Sequence, residues 1–185
     1  LFAVSLGFRL AIAGLFGYST DEAHYVLYAR HPAWGYFDHP PMVAFLGRLT
    51  TLWHENEFFV RLGPILCWSI ALLLIRRLAI DLTGSARVAR RAAVILLLLP
   101  LHHLLALALL PDATLNLFWC ATLLLAWRAV DRNRPWLWLP AGACLGGALL
   151  SKYHAALLPI CLFLYVASSR TARRHLLSPA PYAGL

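Results

Sequence analysis

A handful of side chains in this sequence have the types and spacing to do chemistry. Asp21 and Glu22 lie in Ser19-Thr20-Asp21-Glu22-Ala23-His24-Tyr25, directly behind an apolar segment, and Asp38 follows in Tyr36-Phe37-Asp38-His39-Pro40-Pro41. Carboxylates gathered at the mouth of an apolar region are costly to keep there and mark functional sites. Adjacent residues on a helix point roughly 100° apart, so Asp21 and Glu22 cannot both aim at one atom. One can act as a catalytic base while the other binds or caps. The plainer alternative is that Glu22 completes a capping box with Ser19 and Asp21 complements the helix dipole.

Asp38-His39 follows Trp34, Tyr36 and Phe37, a combination suited to holding a carboxylate and an imidazole rigidly beside an aromatic wall. Carboxylate oxygen with imidazole nitrogen suits zinc or manganese, which makes Asp38 a candidate ligand for a divalent ion. The competing reading is a rigid turn with a solvated aspartate. Asp112, after Pro111, is either an ordinary helix-opening residue or the second acid of the site. Lys152, in Ser151-Lys152-Tyr153-His154, either snorkels to lipid headgroups or holds a phosphate against the acidic island. Arg9 lies inside an apolar segment, where it can reach a phosphate or neutralise a carboxylate, and His102-His103 reads as a packed, hydrogen-bonded pair.

The elements that must position these groups belong in a bilayer. Apolar residues make up 61% of the 185-residue chain and charged residues only 13%, with a mean hydropathy of +0.69, well outside the range of a soluble domain. The formal charge of +8 comes from short arginine clusters between apolar runs, a pattern of membrane orientation and not of nucleic-acid binding. Cys67, Cys120, Cys144 and Cys161 lie singly inside apolar runs, so neither disulfides nor a thiolate metal site is expected. Residues 1–17 lack the basic leader and cleavage site of a signal peptide. Beginning at Leu1 and stopping at Leu185 in mid-pattern, residues 1–185 read as the N-terminal transmembrane region of a longer protein.

Runs 1–17, 58–75, 92–110 and 113–130 are candidate spans, and 136–168 divides at Ser151-Lys152 into two short helices joined by a tight turn. The fold class expected is all-α integral membrane, with about six transmembrane helices. Arg76, Arg77, Arg87, Arg90, Arg91, Arg128, Arg132, Arg134, Arg170, Arg173 and Arg174 then share one side, the cytoplasm by the positive-inside rule. Asp21, Glu22, Asp38, Glu55, Glu57, Asp112 and Lys152 share the other. The loop 18–57 is expected to carry two interfacial helices. One opens with the Ser19/Glu22 capping box and runs through Arg30; the other places Met42, Phe45, Leu46, Leu49 and Trp53 on one face.

The motifs Asp21-Glu22-Ala23-His24-Tyr25, Ala33-Trp34-Gly35-Tyr36-Phe37-Asp38-His39-Pro40-Pro41-Met42, Pro111-Asp112-Ala113-Thr114 and Leu150-Ser151-Lys152-Tyr153 together resemble the bacterial protein O-mannosyltransferase and aminoarabinose-transferase superfamily of polytopic C-type glycosyltransferases. The resemblance implies a bacterial inner-membrane enzyme that takes a sugar from a polyprenyl-phosphate donor on the extracytoplasmic side. It implies Asp21 as catalytic base and Asp38 as a metal-binding carboxylate. In the aminoarabinose branch a phosphate-contacting lysine stands where this chain has His39, so Lys152 or Arg9 is expected to hold the phosphate, with Tyr36 and His39 in the donor site. The acceptor expected is a hydroxyl on a glycolipid such as lipid A, on a protein or on a polysaccharide. Direct displacement by that hydroxyl inverts the anomeric carbon. A transporter or lipid-binding module without catalysis is the alternative; transporters concentrate ionisable residues near the bilayer midplane, whereas here they gather at helix ends.

Overall fold

A computed structural model describes residues 1–169, 172–177 and 180–183. Among these the fold is all-helical. The framework is a pair of long helices, α4 (Glu57–Thr83) and α7 (Pro111–Asp131), about 40 and 31 Å long at 1.5 Å per residue. Both are long and apolar enough to cross a membrane, whose hydrocarbon core is about 30 Å thick. Their C-terminal ends lie on one side, because Asp81 of α4 accepts from Arg128 and Arg132 of α7 and pairs also with Arg77. The chain is an all-α membrane protein.

The six full spans expected from the apolar runs are not all present as such. The run 92–110 is two helices, α5 (Ala86–Leu98) and α6 (Pro100–Leu107), bent by 68°. Pro100 has no N–H to continue α5 and forces Leu99 into an extended conformation, φ −73° and ψ 118°. The run 1–17 yields only α1 (Phe2–Ile12), 11 residues. It stops there because Arg61 of α4 donates to the carbonyls of Ala13, Phe16 and Gly17, each at 2.8 Å, in place of further helical turns. The run 136–168 does divide at Ser151-Lys152, into α8 (Trp138–Leu149) and α9 (Leu157–Ser168) of 12 residues each, shorter than a full crossing. Arg170, counted with the last basic cluster, lies outside the described residues.

The loop 18–57 carries two helices, as its patterns require. The first, α2 (Thr20–Arg30), opens with a complete capping box: Glu22 N donates to Ser19 Oγ at 3.3 Å and Ser19 N to Glu22 Oε2 at 3.0 Å. Packed against it is α3 (Met42–Thr50), which turns small residues inward, with Val43, Ala44 and Gly47 buried. The expected stripe of large apolar residues is present but looks outward: Leu49 and Trp53 are exposed and Met42, Phe45 and Leu46 half-buried. Close approach explains the glycines here. A Cβ on Gly47 would come within 2.9 Å of both Ala29 and Leu109, and one on Gly63 within 2.8 Å of Leu46. Tyr25, Val26, Val43, Val60 and Leu109 form the core that fixes the loop helices to the bundle.

Candidate active site

Asp21 and Asp38 of the loop and Asp112 at the start of α7 converge at one end of the bundle, opposite the Asp81 clasp. Tyr25 is buried at the meeting point, within electrostatic reach of Asp38, Asp21 and Asp112. Lys152 Nζ donates to both oxygens of Asp112, at 2.9 and 3.0 Å. Met42 N donates to Leu150 O at 3.0 Å, tying the start of α3 to the turn that carries Lys152.

Asp21 and Glu22 take different fates. Glu22 is buried and fully engaged: Arg61 Nε reaches Oε1 at 2.8 Å, Arg61 Nη2 reaches Oε2 at 2.9 Å, and the cap bond from Ser19 N completes the set. Burial raises its pKa, but the Arg61 and Ser19 bonds outweigh that and hold the carboxyl below its usual range. Glu22 therefore clamps α2 to the first turns of α4. Asp21 is exposed and, among the described residues, has no hydrogen bond or ion pair. Its lone pairs are available to a ligand.

Asp38 is held by a network of aromatic and imidazole groups. Tyr28 OH donates to Oδ1, His39 Nδ1 approaches Oδ2 at 2.9 Å and His24 Nε2 the same oxygen at 3.4 Å. The Tyr28 bond, seconded by His39, holds the Asp38 carboxyl down to about 2 against the effect of its burial. The same environment pushes the Tyr28 phenol up to about 12, through burial and then the Asp38 bond. Burial and the nearby carboxylates push Tyr25 up to about 12 as well. Tyr25 OH lies 3.4 Å from His39 Nδ1.

Tyr36 is part of this network. Its ring stacks on Tyr28 at 3.7 Å with planes 8° apart. Its hydroxyl accepts from Ala33 N at 3.0 Å and lies 3.0 and 2.9 Å from the carbonyls of Tyr28 and His31. Backbone Tyr36 N donates to His39 O at 3.1 Å, closing the turn that presents Asp38. Asp38 Oδ2, His39 Nδ1 and His24 Nε2 are the donors that this turn brings closest together. Among the described residues no group of three His, Cys, Asp or Glu side chains has the arrangement of a metal-ligand set.

Arg9 stands apart from this cluster. Fully buried between α1 and the α5–α6 bend, it donates from Nη2 to His103 Nδ1 at 3.5 Å, while its Nε has no partner. His103 passes its Nε2–H to Leu97 O at 2.6 Å, a carbonyl freed by the break at Pro100. The expected His102–His103 hydrogen bond is not formed. Their rings meet edge-on at 6.0 Å, and His102 packs against Trp68.

Tyr25, Tyr28 and Arg61 have roles here that no motif in the sequence assigns to them. The tyrosines had a signal in their helical spacing, since Tyr28 stands four residues after His24 and Tyr25 four after Asp21. Arg61 had one too, as a cation just inside an apolar run.

No curated protein and no solved structure matches the chain. The model of the dolichyl-phosphate-mannose-protein mannosyltransferase family matches residues 38–185, which include Asp38, Asp112 and Lys152 and leave Asp21 and Glu22 ahead of the matched segment. The chain belongs to the dolichyl-phosphate-mannose-protein mannosyltransferase family and is a membrane glycosyltransferase.

Proposed function

We propose that this glycosyltransferase moves a hexose or pentose from a polyprenyl-phosphate donor to a hydroxyl on a glycolipid, such as lipid A, or on a protein. Its site then opens on the extracytoplasmic face of a bacterial inner membrane, opposite the arginine clusters. The observation that carries this reading is the division of labour among the carboxylates. Of the four carboxylates near Tyr25, Glu22, Asp38 and Asp112 are each engaged by a cation, a phenol or an imidazole, while Asp21 is exposed and, among the described residues, its oxygens have no partner.

In this reading Asp21 takes the proton of the acceptor hydroxyl as its oxygen attacks the anomeric carbon. The bond from that carbon to the phosphate oxygen breaks, the polyprenyl phosphate leaves with the electron pair, and the anomeric configuration inverts. A positioned base contributes about 10²–10⁴-fold in rate. Lys152, held at the rim by Asp112, is the cation nearest to hand for the departing phosphate. His39, with Nδ1 committed to Asp38, offers Nε2 to the same group. A lipid-borne donor reaches such a site laterally from the bilayer.

A transporter reading has less support, since the acidic cluster lies at the helix ends. The donor class is tested by offering the full-length protein, in proteoliposomes, a radiolabelled polyprenyl-phosphate sugar or a nucleotide sugar. Label transferred to envelope glycolipid or protein only from the lipid donor supports the proposal; transfer from the nucleotide sugar alone overturns it.

A further inference from the structure

Two sets of arginines contrast at the end of the bundle away from the acidic loop, where Arg76, Arg134, Arg173 and Arg174 are exposed as well. Arg77, Arg128 and Arg132 are spent on Asp81, whose carboxylate is almost fully enclosed. Arg87, Arg90 and Arg91 of α5 are exposed, and among the described residues they have no acidic partner. They do not serve their own helix, because cations in its first turns oppose the macrodipole. Arg87 and Arg91 share one face one turn apart, with Arg90 about 100° around the helix from Arg91, a cationic patch suited to an anion from outside the chain.

The rest of α5 says what kind of anion. At 100° per residue Arg87, Arg91, Ile95 and Leu98 fall within about 80° of one another, with Ala89 buried on the opposite side. Ile95 and Leu98 are 62% and 71% exposed. The open stripe therefore reads cationic for its first turns and apolar beyond. From Arg87 to Leu98 it is about 16 Å long, close to half the roughly 30 Å hydrocarbon thickness of a bilayer. Charge at one end and a single-leaflet length of apolar surface match a phospholipid, phosphate on the arginines and acyl chain along Ile95 and Leu98.

We infer that the exposed face of α5, from Arg87 to Leu98, binds an anionic phospholipid of the adjoining leaflet. The site is separate from the acidic cluster and needs no particular glycosyl donor. Polybasic segments at a membrane surface gain about 1 kcal/mol per arginine from anionic lipid, equivalent to about fivefold in affinity, and the gain falls with added salt.

The test uses full-length protein in nanodiscs of equal parts phosphatidylglycerol and phosphatidylcholine, with retained lipid counted by native mass spectrometry after release. The wild type retains phosphatidylglycerol preferentially. Arg87→Gln/Arg90→Gln/Arg91→Gln loses that preference by at least fivefold, while the charge-matched Arg134→Gln/Arg173→Gln/Arg174→Gln keeps it. Ile95→Ser/Leu98→Ser weakens retention of phosphatidylglycerol but leaves competition by glycerol phosphate unchanged. Equal loss in both arginine triples would show bulk charge at work and overturn the site. Full retention in the α5 triple would do the same.

Discussion

Arg61 grips both oxygens of Glu22, at 2.8 and 2.9 Å, and its remaining donors close the carbonyls of Ala13, Phe16 and Gly17. One side chain thus ends α1, seats α2 and leaves Asp21, the next residue back from Glu22, facing outward. Its contribution is structural, and it predicts a structural phenotype. Breaking a buried pair by removing one partner costs about 3–5 kcal/mol. Arg61→Ala and Glu22→Ala should each destabilise the protein by that order, seen as a lower thermal midpoint in detergent. A midpoint unchanged in both would contradict the clamp.

The Asp38 network predicts an acid limit. A carboxyl lowered to about 2 in the folded state, against about 3.9 when unfolded, adds stability that is complete above about pH 4. That stability is lost as the pH falls through about 2. Hydrogen exchange across residues 31–41 should accelerate over that window. Tyr28→Phe removes the largest cause of the depression and should move the window upward; an unmoved window would show that Tyr28 does not hold Asp38.

Gly47 predicts overpacking. An added methyl at 2.9 Å from both Ala29 and Leu109 forces α3 away from α2 and from the connection that precedes α7, at about 1–3 kcal/mol. Gly47→Ala should lower both thermal stability and transfer activity. The same change at Gly35, where a Cβ meets nothing within 4 Å, should leave stability unaltered.

Lys152 and Asp112 are partly exposed, at 25% and 33% of their side-chain surface, so their pairing contributes about 1 kcal/mol or less to stability. Lys152→Met should therefore barely change the thermal midpoint. If the ammonium also meets the donor phosphate, the same variant should raise KM for the donor by about tenfold or more, and Lys152→Arg should recover part of it. Unchanged kinetics would confine Lys152 to the ion pair.

The helices of loop 18–57 were legible because their signals are local. Ser19 and Glu22 announce their cap, and Pro40-Pro41 separates α2 from α3. The break at Ser151-Lys152 was legible for the same reason. The bend at Leu99–Pro100 was hidden inside an unbroken apolar run, where composition says nothing of direction. Glu22 with Arg61, 39 residues apart, and Lys152 with Asp112, 40 residues apart, depend on which helices pack together, and no local pattern encodes that. The outward turn of Leu49 and Trp53 follows from Val43, Ala44 and Gly47, whose small size permits the close approach that large residues would prevent.

Asp21→Asn keeps the shape of the side chain while removing the base that takes the acceptor's proton. The full-length variant should bind a polyprenyl-phosphate sugar as the wild type does, keep its thermal midpoint and transfer sugar at least about 10²-fold more slowly. Wild-type transfer by Asp21→Asn, with donor binding intact, would contradict the account.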